Sequence, residues 1–368
     1  MKDKISQKTI KTRKIFYLAG YDPRGVRFYY QNLKTALEKF CERDCVTITL
    51  SARKKQSPLE THCHLHNQAD NVATDYSFLH WDDLIKKTWI RSDYHLFAQG
   101  LKSYADIFCH FSWRKLFSMP RAPILTLLYP FLTLILFPLC MTLLASCFYN
   151  HYATPLLYFI VFCLLWIQYL PKLQSNWLLR FFIFNHQEFM HYSKDYDQRA
   201  QRFAQIITQS FGENYDEILL IAHSNGSIAT IPIINHLPMM PKNFKIVTLG
   251  HCTPLITINK ISQEYINMVQ NVQQKTFKWF DIGFPPDGAC YAKTNPLDTY
   301  RPDNQLIKVQ FKSISPQFFN YYTPEIYQKL RKDKFQLHFS YLVTHDKKSP
   351  TEFIDILTSP YLIDTRFV

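Results

Sequence analysis

Glycine is scarce in this chain, with eight among 368 residues. Each one therefore marks a place where the backbone has few other options. Fixed charge is absent from 50 consecutive positions, 122 to 171. A soluble surface helix does not tolerate so long a gap. The nine cysteines include no Cys-x-x-Cys pair. Their odd number and irregular spacing exclude a disulfide framework and point to reduced, mostly buried thiols on a cytosolic side. No helix-turn-helix, zinc-finger or RNA-binding pattern accompanies the net charge of +13. Nucleic acid is therefore not the expected partner, and an anionic membrane surface is. The basic, polar start Met1-Lys2-Asp3-Lys4-Ile5 reads as a short arm and not as a signal peptide.

Against these absences stands one dense motif, Ala222-His223-Ser224-Asn225-Gly226. The apolar run Ile218–Ile221 precedes it and Ser227–Ile231 follows. A buried strand entering a tight turn, with serine at the apex and glycine two positions on, is the pattern of a nucleophile elbow. The usual first glycine is replaced by Ala222, the mildest substitute at a crowded crossing. Pro232 is expected to kink the following helix or end it early.

The uncharged stretch reads as a transmembrane hairpin inserted into a soluble fold, with a re-entrant hairpin or a buried helical hairpin as the alternatives. One span covers about 122–149 and a shorter one 153–170, broken at Asn150-His151-Tyr152. Arg114, Lys115 and Arg121 lie before it, and Lys172 and Arg180 after it. The positive-inside rule then places both flanks in the cytoplasm. Three parts follow: 1–115 and 186–368 as two halves of one domain, and 116–185 as the membrane insertion.

Elsewhere strands are expected at 14–19, 46–50, 75–81, 245–249 and 276–282, with helices at 26–43 and 196–211. Residues 51–75 read as loop, and Asp82-Asp83 as the cap of a helix starting near Leu84. This alternation implies an α/β fold, a mostly parallel sheet with helices on both faces. Ligands bind such sheets at the carboxyl ends of the strands.

A nucleophilic serine needs a base, and the base needs an orienting acid. In the elbow type of fold they follow in the order Ser, acid, His. Asp287, in a loop stiffened by Pro285-Pro286 and Gly288, is the first candidate acid, with Asp281 its rival. His338, flanked by apolar residues, is the first candidate base. Its rival His345 reads as lying in an exposed loop, and His223 is expected to point away from the serine hydroxyl. The N–H groups of Asn225 and Tyr21 are candidate oxyanion donors. Arg24 suits an acidic group on a substrate, or else an ion pair with Asp22. His62, His64 and His66 have metal-ligand residue types but no partner cluster, so no metal and no cofactor are expected. Cys252 and Cys290 lack an activating motif.

Taken together, Gly20-Tyr21-Asp22-Pro23-Arg24-Gly25, the segment 222–226, Pro286 to Cys290 and Leu337-His338-Phe339 resemble the α/β-hydrolase superfamily. Within it, the chain is similar to bacterial hydrolase-like proteins that carry a membrane hairpin, over about residues 14–110 and 190–345. The resemblance implies a serine hydrolase of the esterase, lipase or thioesterase type with a Ser224-His338-Asp287 triad. It would be integral to the bacterial inner membrane, with the catalytic part facing the cytoplasm, and would act on a lipid or acyl-ester substrate. The superfamily also holds acyltransferases, and a hydrolase-like fold also serves as a non-catalytic membrane scaffold.

Overall fold

The computed structural model describes residues 9–148, 154–169, 175–298 and 306–367. β1 (Thr12–Leu18) leads to α1 (Gly25–Asp44), then β2 (Ile48–Leu50), β3 (Lys54–Ser57), β4 (Glu60–Asn67) and β5 (Val72–Leu79). A helical insertion follows: α2 (Asp82–Lys87), α3 (Asp93–His110), α4 (Trp113–Ser118), α5 (Arg121–Ser146), α6 (Thr154–Ile167) and α7 (Ser175–Asn185). The last continues as a π-helical turn over His186–Met190. The chain returns through α8 (Lys194–Gln209) to β6 (Glu217–His223), α9 (Gly226–His236) and β7 (Phe244–Leu249). Next come α10 (Pro254–Thr257), α11 (Gln263–Gln273), β8 (Lys278–Ile282) and β9 (Gln310–Ile314). The last elements used below are α12 (Pro324–Lys332), α13 (Lys334–Phe339) and α14 (Phe353–Thr358).

The strands form one sheet in the order β2-β4-β5-β1-β6-β7-β8-β9, with β3 paired to β4. From β5 to β9 every pairing is parallel, and only β2, β3 and β5 against β4 are antiparallel. The expected α/β class with a mostly parallel sheet is therefore observed. Every residue of β6 and β7 is buried, as a sheet covered on both faces requires. One core lies between the sheet and α3, α7, α8, α9 and α11; the other lies under α1, α13 and α14. Register aligns the strand ends. Leu18 sits opposite both Leu79 and Ala222, His223 opposite Leu249, and Leu249 opposite Ile282. The loops leaving these residues gather along one edge.

A buried charge cluster ties the C-terminal segment to the sheet centre. Arg13 Nε donates to Glu217 Oε2 at 2.9 Å, and its two terminal nitrogens donate to the carbonyls of Leu357, Ser359 and Tyr361. Lys245 Nζ reaches Glu217 Oε1 at 2.9 Å. Each buried charge thus has both a counter-ion and hydrogen bonds, which offsets its desolvation.

Three expectations differ from the structure. Residues 51–75 are not loop: they hold β3, β4 and the start of β5, where Cys63 and Leu65 face the core and the histidines alternate with them outward. Pro232 does not end its helix, since α9 runs four residues past it. A proline removes the N–H that would serve the carbonyl four residues earlier. Here that carbonyl, Ile228 O, accepts the Tyr265 hydroxyl at 2.9 Å. Asp82 and Asp83 occupy the first turn of α2, and Trp81, not they, is its N-cap.

The uncharged stretch forms α5 and α6, which pack together, with Phe137 stacked on Trp166 at 3.9 Å. α5 has a mean hydropathy of 2.2 over its most apolar window, of which 22% is buried. At 26 residues it is about 39 Å long, more than the roughly 30 Å of a bilayer core. α6 has 14 residues, about 21 Å, and falls short. Among the described residues α5 is the one helix long and apolar enough to cross a membrane. The expected break at 150–152 lies outside the described residues.

Tyr265→Phe should lower the unfolding free energy by about 1–2 kcal/mol, because it strands the buried Ile228 carbonyl. In a Pro232→Ala background, which restores the N–H, the same change should cost clearly less. A denaturant double-mutant cycle measures the difference.

Candidate active site

The elbow begins with β6, whose apolar side chains hold it between two faces of the core. Its last residue is His223, and Ser224 follows with φ +55°. That left-handed conformation is strained for a residue with a side chain and costs on the order of 1–3 kcal/mol. The surroundings impose it. Ser224 N–H donates to Leu249 O at 2.9 Å, and Ser227 Oγ donates to Ser224 O at 2.6 Å. α9 starts at Gly226, where a Cβ would lie 2.6 Å from Leu18 O and 2.8 Å from Ala19 O. The helix crosses the end of β1 so closely that only glycine fits. Gly20 supports the apex from the other side, its would-be Cβ 3.0 Å from Ser224 Cβ. Ala222 is fully buried within the strand.

Asp287 lies in the loop after β8 and is 1% exposed. Its Oδ2 accepts from His338 Nδ1 at 2.7 Å and from the Tyr341 hydroxyl at 3.0 Å. Its Oδ1 accepts the Ala289 N–H at 3.0 Å. Burial alone would raise this carboxyl, but the facing His338 and the three donors hold it below the usual carboxylate range. Tyr341 is itself fixed, its oxygen accepting the Phe284 N–H at 3.0 Å. A carboxylate on Nδ1 selects the tautomer that leaves a lone pair on Nε2. His338 Nε2 is buried and makes no hydrogen bond, so a bond to Ser224 Oγ is not formed in this structure. Both residues nevertheless line one cavity of about 200 Å³.

The rival residues lie elsewhere. Asp281 is buried on β8, accepts from Thr248 Oγ1 at 2.7 Å, and has its carboxyl pushed up by burial. His345 is not in an exposed loop as expected: it is 1% exposed and its Nε2 meets Ser340 O at 3.2 Å. His223 Nε2 meets His338 O at 3.1 Å, so this ring packs beside His338.

Tyr21 lines the cavity, whereas Asn225 lies fully buried behind Ser224. Among the described residues, no backbone carbonyl takes up either N–H. Arg24 also lines the cavity, but its guanidinium is paired with both oxygens of Asp22 and stacks 3.5 Å from the Phe28 ring centre. The ion pair weighed from the sequence is thus formed. Sequence reasoning missed the aromatic walls Trp89, Trp177, Phe335 and Phe339, and also Tyr341. They come from three separate segments, and aromatic residues are too frequent here for any one to stand out.

His62, His64 and His66 lie on the outer side of β4, with His64 Nδ1 on Asp75. They do not converge on a common point. Cys252 and Cys290 are buried, and burial raises both thiols, so neither is a ready nucleophile.

Burial, reinforced by neighbouring His338, pushes His223 down to about 3. An unfolded histidine titrates near 6.5. Between these values the unfolded chain binds a proton that the folded chain refuses, so stability falls as pH drops below 6.5. His223→Asn should therefore lose less unfolding free energy between pH 7 and pH 4 than the parent. Equal losses in paired denaturation series would show that His223 carries no such penalty.

Comparison of the chain with protein-family models, with curated proteins and with solved structures finds no match.

Proposed function

We propose that the chain is a membrane-attached serine hydrolase of the α/β-hydrolase type, acting on an acyl ester or thioester drawn from lipid. One observation carries this reading. A strained elbow serine and a histidine, oriented by a buried aspartate and with a free Nε2, line the same largely aromatic cavity. Ser224 Oγ attacks the acyl carbonyl carbon while His338 Nε2 takes its proton. Asp287 holds the ring and stabilises the imidazolium. The oxyanion is met by the N–H groups of Asn225 and Tyr21. His338 then protonates the leaving alcohol or thiol, and water releases the acyl group by the reverse steps.

The apolar helix supports a lipid-derived substrate. Leu125, Leu132, Leu136, Leu143 and Leu144 of α5 and Leu156, Leu157 and Leu164 of α6 are exposed, as side chains facing lipid would be. α5 stands directly on the acid's loop: a Cβ on Gly288 would lie 2.5 Å from Thr126 Oγ1. Arg114, Lys115 and Arg121 at its foot support, by the positive-inside rule, a cytoplasmic side there. The cavity would then open near the headgroups, where an acyl chain reaches Trp89, Trp177 and Phe335.

A second reading, a hydrolase-like scaffold without catalysis, is favoured by the unformed Ser224–His338 hydrogen bond. Catalytic hydrogen bonds are often long before substrate binds, so activity decides between the two. Purified protein in detergent should hydrolyse p-nitrophenyl or thioester acyl substrates with a burst of the first product. Ser224→Ala should fall to background, and Asp287→Asn should lower kcat by roughly 10³–10⁴-fold. Turnover in the parent no greater than in Ser224→Ala, across short and long acyl chains, would favour the scaffold.

A further inference from the structure

A second cluster lies outside the Ser224 cavity, where α3 meets the π-helical turn after α7. Asp106 Oδ2, His186 Nε2 and His191 Nε2 form a triangle with edges of 2.7, 3.1 and 3.2 Å. Ligand atoms at about 2.05 Å from a tetrahedral zinc ion stand about 3.4 Å apart. The triangle therefore has close to the size of one face of such a site. Its polar atoms also meet awkwardly without an ion. If both rings donate to Asp106, two N–H groups crowd at 3.2 Å; if one accepts from the other, Asp106 loses a donor. His186 is 8% exposed, while Asp106 and His191 remain partly open, which leaves room for water as a fourth ligand. Beside the cluster, His110 Nδ1 meets the Asp106 backbone carbonyl at 2.9 Å and stands 3.1 Å from Asp106 Oδ1, which steadies that residue. The π-turn is the local irregularity that brings His186 and His191, five apart in sequence, to one point.

We infer that Asp106, His186 and His191 bind one divalent transition-metal ion of the zinc class, pinning the end of α7 to α3. Two imidazoles and one carboxylate suit such an ion better than magnesium or calcium. The same α7 carries Trp177 into the cavity wall, so the ion would stiffen that wall from its far end. The site is independent of whether Ser224 is catalytic.

The test is calorimetric titration of chelator-stripped full-length protein in detergent with Zn²⁺, followed by Co²⁺ spectroscopy. One equivalent should bind and raise the unfolding midpoint. Co²⁺ should give visible d–d bands without a thiolate charge-transfer band. His186→Ala/His191→Ala should weaken binding at least 100-fold, and His110→Ala about tenfold. Asp106→Asn keeps an acceptor for both rings but removes the charge. It should retain the fold, checked by near-UV circular dichroism, and lose at least tenfold in affinity. Absence of stoichiometric binding to the folded parent, a thiolate band, or unchanged affinity in the His186/His191 and Asp106 variants would overturn the assignment.

Discussion

The rest of the site depends on the passage of α9 over the end of β1. Two carbonyls, Leu18 O and Ala19 O, lie where a side chain at residue 226 would begin. With the helix held there, the turn between β6 and α9 has no room to relax, and Ser224 takes up the left-handed conformation. The register of β1 against β6 then sets Gly20 beneath the serine and Tyr21 beside it. The energy stored in this turn is repaid by the fully buried strands on either side, whose apolar residues give the sheet centre little freedom to shift.

Around that point the chain builds rigidity with aromatics in place of glycine-rich loops. Tyr341 presses on Gly250, donates to Asp287 and accepts from Phe284, linking the ends of β7 and β8 through one ring. Left-handed turns elsewhere are taken by Cys45, Asn71 and Gln317. The helical insertion leaves the sheet after β5 and returns before β6, beside the strand that carries the serine. It is therefore placed to supply the cavity with Trp89 and Trp177 and to rest α5 on the loop of Asp287. In the proposed function, the same insertion would bring the chemistry to a membrane surface.

What could be read from the sequence was local. An apolar run, a serine and a glycine within nine residues announce the strand, the turn and the helix together. The order Ser224, Asp287, His338 includes a pair that does meet: Asp287 lies in the loop after β8 and His338 within the short helix α13, flanked by apolar residues. What failed was non-local or compensated. β3 and β4 read as loop in the sequence because their polar and apolar residues alternate without a continuous apolar run, although β4 lies inside the sheet between β5 and β2. The Pro232 break was expected because the hydroxyl that replaces its hydrogen bond comes from Tyr265, 33 positions away. Among the described residues the second apolar segment forms a 14-residue helix, shorter than the span expected over 153–170. Asp106 and His186 are 80 residues apart, so no spacing rule joins them. Arg24 was legible only as a choice, and folding places it on Asp22.

The most direct measurement is treatment of the detergent-solubilised chain with a fluorophosphonate, followed by peptide mapping of the adduct. The expected result is a single phosphonylated residue, Ser224, formed rapidly at neutral pH and slowly when His338 is replaced. Folded protein that remains unmodified, or that carries its adduct on another residue, would contradict an activated serine at the elbow.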